Sequence, residues 1–316
     1  MEKRVYGVIG ISSIMANWNA DFTGYPKTTA EGDTFGSDKA LKYPMKKMWE
    51  NNGDKVLYIK SLKFSEGKKG EVTLVPRSLQ ERYEYLFECK NLKDIKDNKE
   101  VITNLFKAID VKNFGATFAE AGKNISITGA VQIGQGFNKY KDTNPEEQQI
   151  LSPFRDSSKD GKKESESEAK NSTLGSKIVS NEAHYFYPFT VNPCAYNGYV
   201  ELGVTEGYTE EDYEKFKEAA IVSATSFATN SKVGCENEFS LFIETDKDLY
   251  LPNLSEYIEF EKGEDKNLIK ITCDELLNGV KEKIKSIEIY YNPYKLQISS
   301  NIEGVKLFNI FTKEEV

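Results

Sequence analysis

Arg4-Val-Tyr-Gly-Val-Ile-Gly-Ile-Ser-Ser-Ile14 opens the chain as a strand-like run, breaks into a long polar loop, and leads into Ser37-Asp-Lys-Ala-Leu-Lys-Tyr-Pro-Met-Lys-Lys-Met-Trp49. In the second segment Lys39, Lys42, Lys46 and Lys47 recur at helical spacing, so most share one face, while Leu41, Met45, Met48 and Trp49 take the opposite one. The pattern predicts a helix packed on its apolar side and offering ammonium groups on the other. In an acidic protein such an island implies a local anionic partner. Pro44 removes one backbone donor from an unbroken helix, so the helix either runs through it or starts near Tyr43 after a turn at Asp38 to Lys42. A lysine-rich face is also what plain solvated surface looks like.

The formal charge of -8 argues against a generic nucleic-acid binder, which is usually basic overall. Its distribution weakens that objection. From Lys39 to Lys63 seven lysines stand against Glu50 and Asp54, whereas from Glu236 to Glu275 twelve acids stand against four lysines. A folded protein can keep the two regions on opposite sides or pair them between copies of itself. At 39% hydrophobic residues, the 316-residue chain is expected to fold without a partner chain or metal. No apolar run reaches the roughly 18 to 20 residues needed to span a bilayer. The opening Met-Glu-Lys-Arg-Val-Tyr lacks a signal peptide's apolar stretch. A cytoplasmic protein with no membrane partner is therefore expected. Cys89, Cys194, Cys235 and Cys273 are far apart and His184 is the sole histidine, so zinc and dithiol chemistry fall away. Four reduced thiols, mostly buried, and no cofactor are expected.

Along the chain, Lys55 to Phe64 and Glu71 to Val75 flank the turn Glu66-Gly-Lys-Lys-Gly70 and predict a hairpin. Residues 78–109 carry apolar positions at helical period, enough for two helices. Asn124 to Ile133 alternates as one strand, released by Gly134-Gln-Gly136. Arg155 to Ser172 contains one alanine and no larger apolar residue, and is expected to be a mobile tip of an insertion. His184 to Val191, Phe239 to Ile243 and Ile287 to Tyr291 read as strands. Thr209-Glu-Glu-Asp212 begins a helix toward Phe227 with a capping box, and Thr272-Cys-Asp-Glu275 caps another. The elements mix without a steady βαβ rhythm, which predicts the α+β class.

Enzyme signatures are sparse. Gly7-Val-Ile-Gly10 lacks the third glycine and the helix that place a pyrophosphate, and no phosphate-loop, nucleophile-elbow or zinc-protease motif is present. His184 lies in an aromatic strand and reads as a packed residue rather than a base. The loop from Asn17 to Gly36 is too long for a passive connector. Its amides and hydroxyls, with Trp18, Phe22, Tyr25 and Phe35 interspersed, are the groups that hold a single-stranded backbone and stack its bases. An ordered loop covering the sheet has the same composition.

Asn19-Ala-Asp-Phe22, Phe35-Gly-Ser-Asp-Lys-Ala-Leu-Lys-Tyr-Pro-Met-Lys-Lys-Met-Trp-Glu50, Asp110-Val-Lys-Asn-Phe-Gly-Ala116, Thr128-Gly-Ala-Val-Gln-Ile133 and Ser172-Thr-Leu-Gly-Ser-Lys177 resemble, in that order, the type I-B branch of the "Cas seven" proteins. These are the backbone subunits (Csh and DevR type) of the CRISPR surveillance complex Cascade, and the resemblance runs from residue 4 to about 228. It implies an RRM-like (ferredoxin-like) palm with inserted fingers and thumb across 1–316. The long loop would span about 16–38, and the thumb-like insertion about 138–182 with its tip at 155–172. It implies a non-catalytic subunit that grips a guide RNA (crRNA) by its phosphates and assembles head to tail as a filament. In antiviral defence, the filament and other Cascade subunits would then meet target DNA. Carried onto this chain, the RNA contacts would be Asn17, Asn19, Lys39, Lys42, Lys46, Lys47, Gln132, Gln135 and Lys177. Asn113-Phe-Gly-Ala-Thr-Phe118 is a faint echo of the RNP aromatic pattern, so binding is expected through loops and helix rather than an open sheet. The same resemblance leaves an enzymatic alternative: related type III subunits cut target RNA with an aspartate in this loop, where Asp21 and Asp33 lie. A self-associating module unrelated to nucleic acid is a third reading.

Overall fold

The computed structural model describes residues 1–67, 70–151 and 174–316. β1 (Lys3–Ala16) is the expected first strand. Its Val5, Ile9 and Ile11 point to one core and its Tyr6 and Val8 to another, as two-residue alternation requires. Gly7 serves packing: a Cβ there would stand 2.4 Å from the Phe189 ring. After β2 (Phe35–Gly36) the chain enters α1 (Asp38–Asn51), whose N-cap Ser37 accepts a hydrogen bond from the Ala40 N–H. The helix runs through Pro44 rather than starting near Tyr43. Burial of Leu41, Met45 and Trp49 outweighs the one donor lost.

β3 (Leu62–Glu66) and β4 (Val72–Pro76) form the predicted hairpin, but its first arm is shorter than expected. Leu57 and Tyr58 stay out of it because their N–H groups donate to the Asp110 carboxylate. α2 (Leu79–Leu86) and α3 (Asn98–Leu105) are the two helices anticipated, and α4 (Ile109–Phe114) follows directly. The strand expected over 124–133 is instead two. β5 (Gly115–Phe118) pairs with β6 (Ile125–Thr128), while β7 (Val131–Ile133) turns away to another sheet. Two backbones cross at the break. A Cβ on Gly129 would lie 2.2 Å from the Phe114 carbonyl carbon, and Gly115 holds a φ of 82° that L side chains resist.

β8 (Gly136–Asn138), β9 (Pro145–Leu151) and β10 (Leu174–Val191) come next, with β9 and β10 paired as a ribbon. The predicted mobile tip at 155–172 lies outside the described residues. α5 (Asn197–Glu201) precedes α6 (Glu210–Ser226), which starts at the capping box read from Thr209 and Asp212. β11 (Cys235–Asp246), β12 (Ile258–Glu261), β13 (Asn267–Ile271), α7 (Asp274–Gly279), β14 (Ile284–Tyr291), β15 (Leu296–Ser300) and β16 (Val305–Asn309) complete the order. The Thr272 cap is not formed: its hydroxyl donates to the Tyr257 carbonyl, and Cys273 takes the N-cap position without a side-chain bond.

The central sheet runs β16-β14-β11-β1-β10-β8-β2, with β7 and β9 also paired to β10. It is mixed, because β14 and β16 are parallel while its other pairs are antiparallel. α1 and α6 cover one face around Val5, Ile9 and Phe242. The small sheet β12-β13-β15 covers the other around Tyr6, Val8 and Leu241. The lysine-rich helix and the acidic stretch from Glu256 to Glu275 therefore occupy opposite layers, with the central strands β1 and β11 mostly buried between them. At the outer edge the last residues fold back on β16, where the Val316 N–H donates to Leu307 and the Asn309 N–H to Glu314. Only Cys235 and Cys273 are buried, fewer than expected. Cys194 is exposed, and all four thiols are free.

Candidate nucleic-acid interface

The loop between β1 and α1 is built rather than slack. Asn17 is buried, and its Nδ2 donates to the carbonyls of Gly24 (2.9 Å) and Ile178 (3.1 Å), tying the loop to β10. Asn19 Oδ1 accepts the Ser37 N–H at 2.8 Å and so holds the entry to α1. Trp18 is buried and donates from Nε1 to the Tyr187 hydroxyl at 2.5 Å. Lys232, whose pKa burial lowers, donates to the Asn17 and Trp18 carbonyls. Nothing in the sequence marks Lys232 as the clamp of this loop. Short bridges, Ala20 to Pro26 and Thr28 to Thr34, close the loop on itself. The two asparagines thus position this region.

The helix lysines do not form the free cationic face that their spacing predicted. Lys42 pairs with Asp38 at 2.8 Å and sits over the Phe114 ring; Lys47 pairs with Glu50 at 2.8 Å. Lys46 is mostly buried, donates to the Tyr58 carbonyl at 3.3 Å and lies 3.7 Å from Asp110. Burial pulls its pKa down against the attraction of Asp110. Only Lys39 of the four is exposed and makes no ion pair or hydrogen bond among the described residues. Two of the three partners stand at i-4 and i+3, the helical spacing at which opposite charges meet. Asp110, in α4, is the hub sequence reading missed: fully buried, it accepts the Leu57 and Tyr58 N–H groups at 2.8 Å each.

Gln135 reaches the same first turn of α1. Burial works against the Asp38 charge, yet the hydrogen bond and charge of Lys42, with the Lys39 backbone and the Gln135 side chain close by, hold its pKa below the usual carboxylate range. Two segments distant in sequence thus come to the first turn of α1, Asn19 bonded to Ser37 and Gln135 close to Asp38, next to Lys39. Gln132 is exposed on β7 and donates to the Gly129 carbonyl at 2.8 Å. Lys177 lies on β10 opposite Gln148 of β9, in the ribbon that the loop touches through Asn17 and through the Tyr25 hydroxyl bonded to Glu147.

Of the four loop aromatics only Phe22 is fully exposed. Its turn is pinned by Asp21, whose Oδ1 accepts the Thr23 hydroxyl (2.7 Å), the Thr23 N–H (2.8 Å) and the Tyr25 N–H (3.2 Å). The Thr23 hydroxyl, with those N–H groups, lowers the Asp21 pKa. Asp33 is exposed in the second bridge of the loop, its N–H donating to the Thr29 hydroxyl. Among the described residues no group of three or more metal-ligating side chains stands together. His184 is buried and ion-paired, as its reading as a packed residue anticipates. Its Nδ1 lies 2.7 Å from Glu238 and its Nε2 3.0 Å from Glu182, with its ring stacked on Phe260. Burial opposes its charge, but the two carboxylates prevail and raise its pKa to about 9.

One mixed sheet thus carries a clamped loop, a capped helix and a β-ribbon. The model of the CRISPR-associated protein Cas7 family matches residues 3–277, and the chain belongs to that family. No curated protein matches it. A chain of a solved "CRISPR RNA-guided surveillance complex, pre-nicking" is similar in fold with a TM-score of 0.53 and 13% identity, over 96% of both chains. A chain of another "CRISPR RNA-guided surveillance complex" gives 0.44 and 13%, covering 90% of this chain and 88% of that one. Among the described residues no helix is long and apolar enough to cross a membrane.

Proposed function

We propose that this Cas7 protein is a non-catalytic, crRNA-binding backbone subunit of a type I-B Cascade complex. In that role it assembles head to tail along the guide, beside other Cascade subunits, in the cytoplasm, and presents the guide to target DNA. The convergence of Asn19, Gln135 and Lys39 on the first turn of α1 carries this reading. It gathers a free ammonium, a side-chain amide and a rigid loop at one rim, which is what a phosphate backbone needs. Lys39, Gln132, Gln135 and Lys177 are the direct contacts; Asn17 and Asn19 shape the loop; Lys42, Lys46 and Lys47 hold the helix in place. Phe22 offers a face for a base to stack on. The order β11-β1-β10-β7, with α1 and α6 on one face, supports an RRM-like palm, and the β9-β10 ribbon a thumb. Asp21 Oδ1 accepts from Thr23 and Tyr25 of its own turn, which supports a positioning role for it in the loop.

Filter retention of RNA by the Lys39→Glu, Gln135→Ala and Lys177→Glu variants tests the reading. Weaker binding with a shallower salt dependence is expected. Unchanged binding, or no short RNA co-purifying from the host, would overturn it. Magnesium-dependent RNA cleavage lost on Asp21→Ala or Asp33→Ala would replace the scaffold with a nuclease.

A further inference from the structure

Lys39, Tyr43 and Lys46 fall on one stripe of α1 at spacings of four and three, covering about 10 Å of helix axis. The stripe leads to a groove between α1 and the base of the β3-β4 hairpin, lined by Tyr43, Tyr58, Lys60, Arg77, Ser78 and Arg82 among others. No carboxylate lines it. Lys60 is exposed and makes no ion pair or hydrogen bond among the described residues. The Arg77 guanidinium donates to the Ser61 hydroxyl and the Leu62 carbonyl and packs over Tyr85; the acid within reach of its charge, Glu81, is itself ion-paired with Lys63. Arg82 is paired, but Glu50 is shared between it and Lys47, and Arg82 Nε is buried without a partner. By contrast, the groove along α6 is of mixed charge, with Glu211, Glu214 and Glu218 beside Lys215, Lys217 and Lys313. An exposed tyrosine beside cations that outnumber their neighbouring acids, Glu50 and Glu81, is the composition that holds a sugar-phosphate strand.

We propose that this groove is a second phosphodiester subsite, in which Lys60 and Arg77 take the phosphates of a single strand continuing from Lys39 and Tyr43 packs against its sugar or base. The inference rests on the RNA-binding reading above and extends it by residues that neither the lysine spacing nor the family resemblance marked. Contacts to phosphate alone carry no sequence information, so the subsite lengthens the grip without choosing a sequence.

The test compares a short single strand, able to reach only Lys39, with one about twice as long, in RNA and in DNA of the same sequence, by filter retention across a salt series. The wild-type protein is expected to gain affinity with length. The Lys60→Glu/Arg77→Glu variant is expected to lose that gain, to shed about 1.4 from its salt slope for two phosphates, and to bind the short strand as before. Because Arg77 also braces the hairpin, Lys60→Glu and Tyr43→Ala are measured alone with far-ultraviolet circular dichroism as the folding check. A loss confined to RNA assigns the groove to the guide; an equal loss on DNA assigns it to either strand by its phosphates. If the folded variants keep the wild-type length gain and slope, the subsite is wrong while the guide-carrier reading stands. If the wild-type protein retains neither length, the guide-carrier reading itself fails.

Discussion

The two faces of the central sheet are covered by layers that settle their charges in different places. On the helix face, most charges are consumed locally, Lys42 by Asp38, Lys47 by Glu50 and Lys46 by Asp110, which leaves isolated cations such as Lys39 and Lys60 at the rim. On the other face, the acid-rich layer is locked to the sheet from within. His184 of β10 bridges Glu238 and Glu182, and Lys262 reaches Glu182 at 2.6 Å. A cationic residue count is thus a poor guide to a binding surface. What matters is which ammonium groups are left without an ion pair among the described residues, as Lys39 and Lys60 are.

That contrast can be broken by substitution, and the largest effect is expected at Asp110. Asp110→Ala removes the acceptor of two backbone N–H groups and strands the buried Lys46 ammonium, at a cost of about 3 to 5 kcal/mol read by denaturant unfolding. On the opposite face, His184→Gln should cost on the order of 3 kcal/mol at neutral pH, from a pKa raised from 6.5 to about 9. Because the folded pKa is the higher one, this stabilisation is full below about 6.5 and disappears as the pH rises through 9. Thermal unfolding of the two proteins should therefore converge in alkali, while RNA retention is the same for both. A constant gap across that range would show that packing on Phe260, not charge, is what His184 supplies.

Smaller effects belong to the rim. Phe22→Ala should leave unfolding unchanged and remove about 1 to 3 kcal/mol of RNA binding, together with the quenching of a fluorescent base analogue, if a base stacks there. Lys39→Ala should shift stability by less than about 0.5 kcal/mol and flatten the salt dependence of RNA binding by about 0.7. Lys47→Ala, which breaks a half-exposed pair, should cost at most about 1 kcal/mol of stability and leave RNA binding alone.

Much of this architecture was legible from the residues. β1 and α6 follow from alternation and from the Thr209-Asp212 capping box, because local rules and tertiary packing agree there. The Lys42 and Lys47 partners, Asp38 and Glu50, stand at helical spacing from them, a signal that the expectation of a free lysine face passed over. Other features depend on contacts between distant segments. Nothing near Asn124 to Ile133 announces that Gly129 must bend around Gly115, and nothing near Lys46 announces Asp110. The shortened arm of the β3 hairpin has the same origin, because its missing backbone bonds were claimed by that distant carboxylate.

The return of Glu314 to Val316 onto β16 has a consequence for handling the protein. The rim of a long sheet is normally a row of unsatisfied donors and acceptors that recruits strands from neighbouring molecules. Here Glu314 and Val316 take up the Asn309 donor and the Leu307 acceptor of that row, so part of this border is closed to a strand from a neighbouring molecule. Removing those residues would return both groups to the surface.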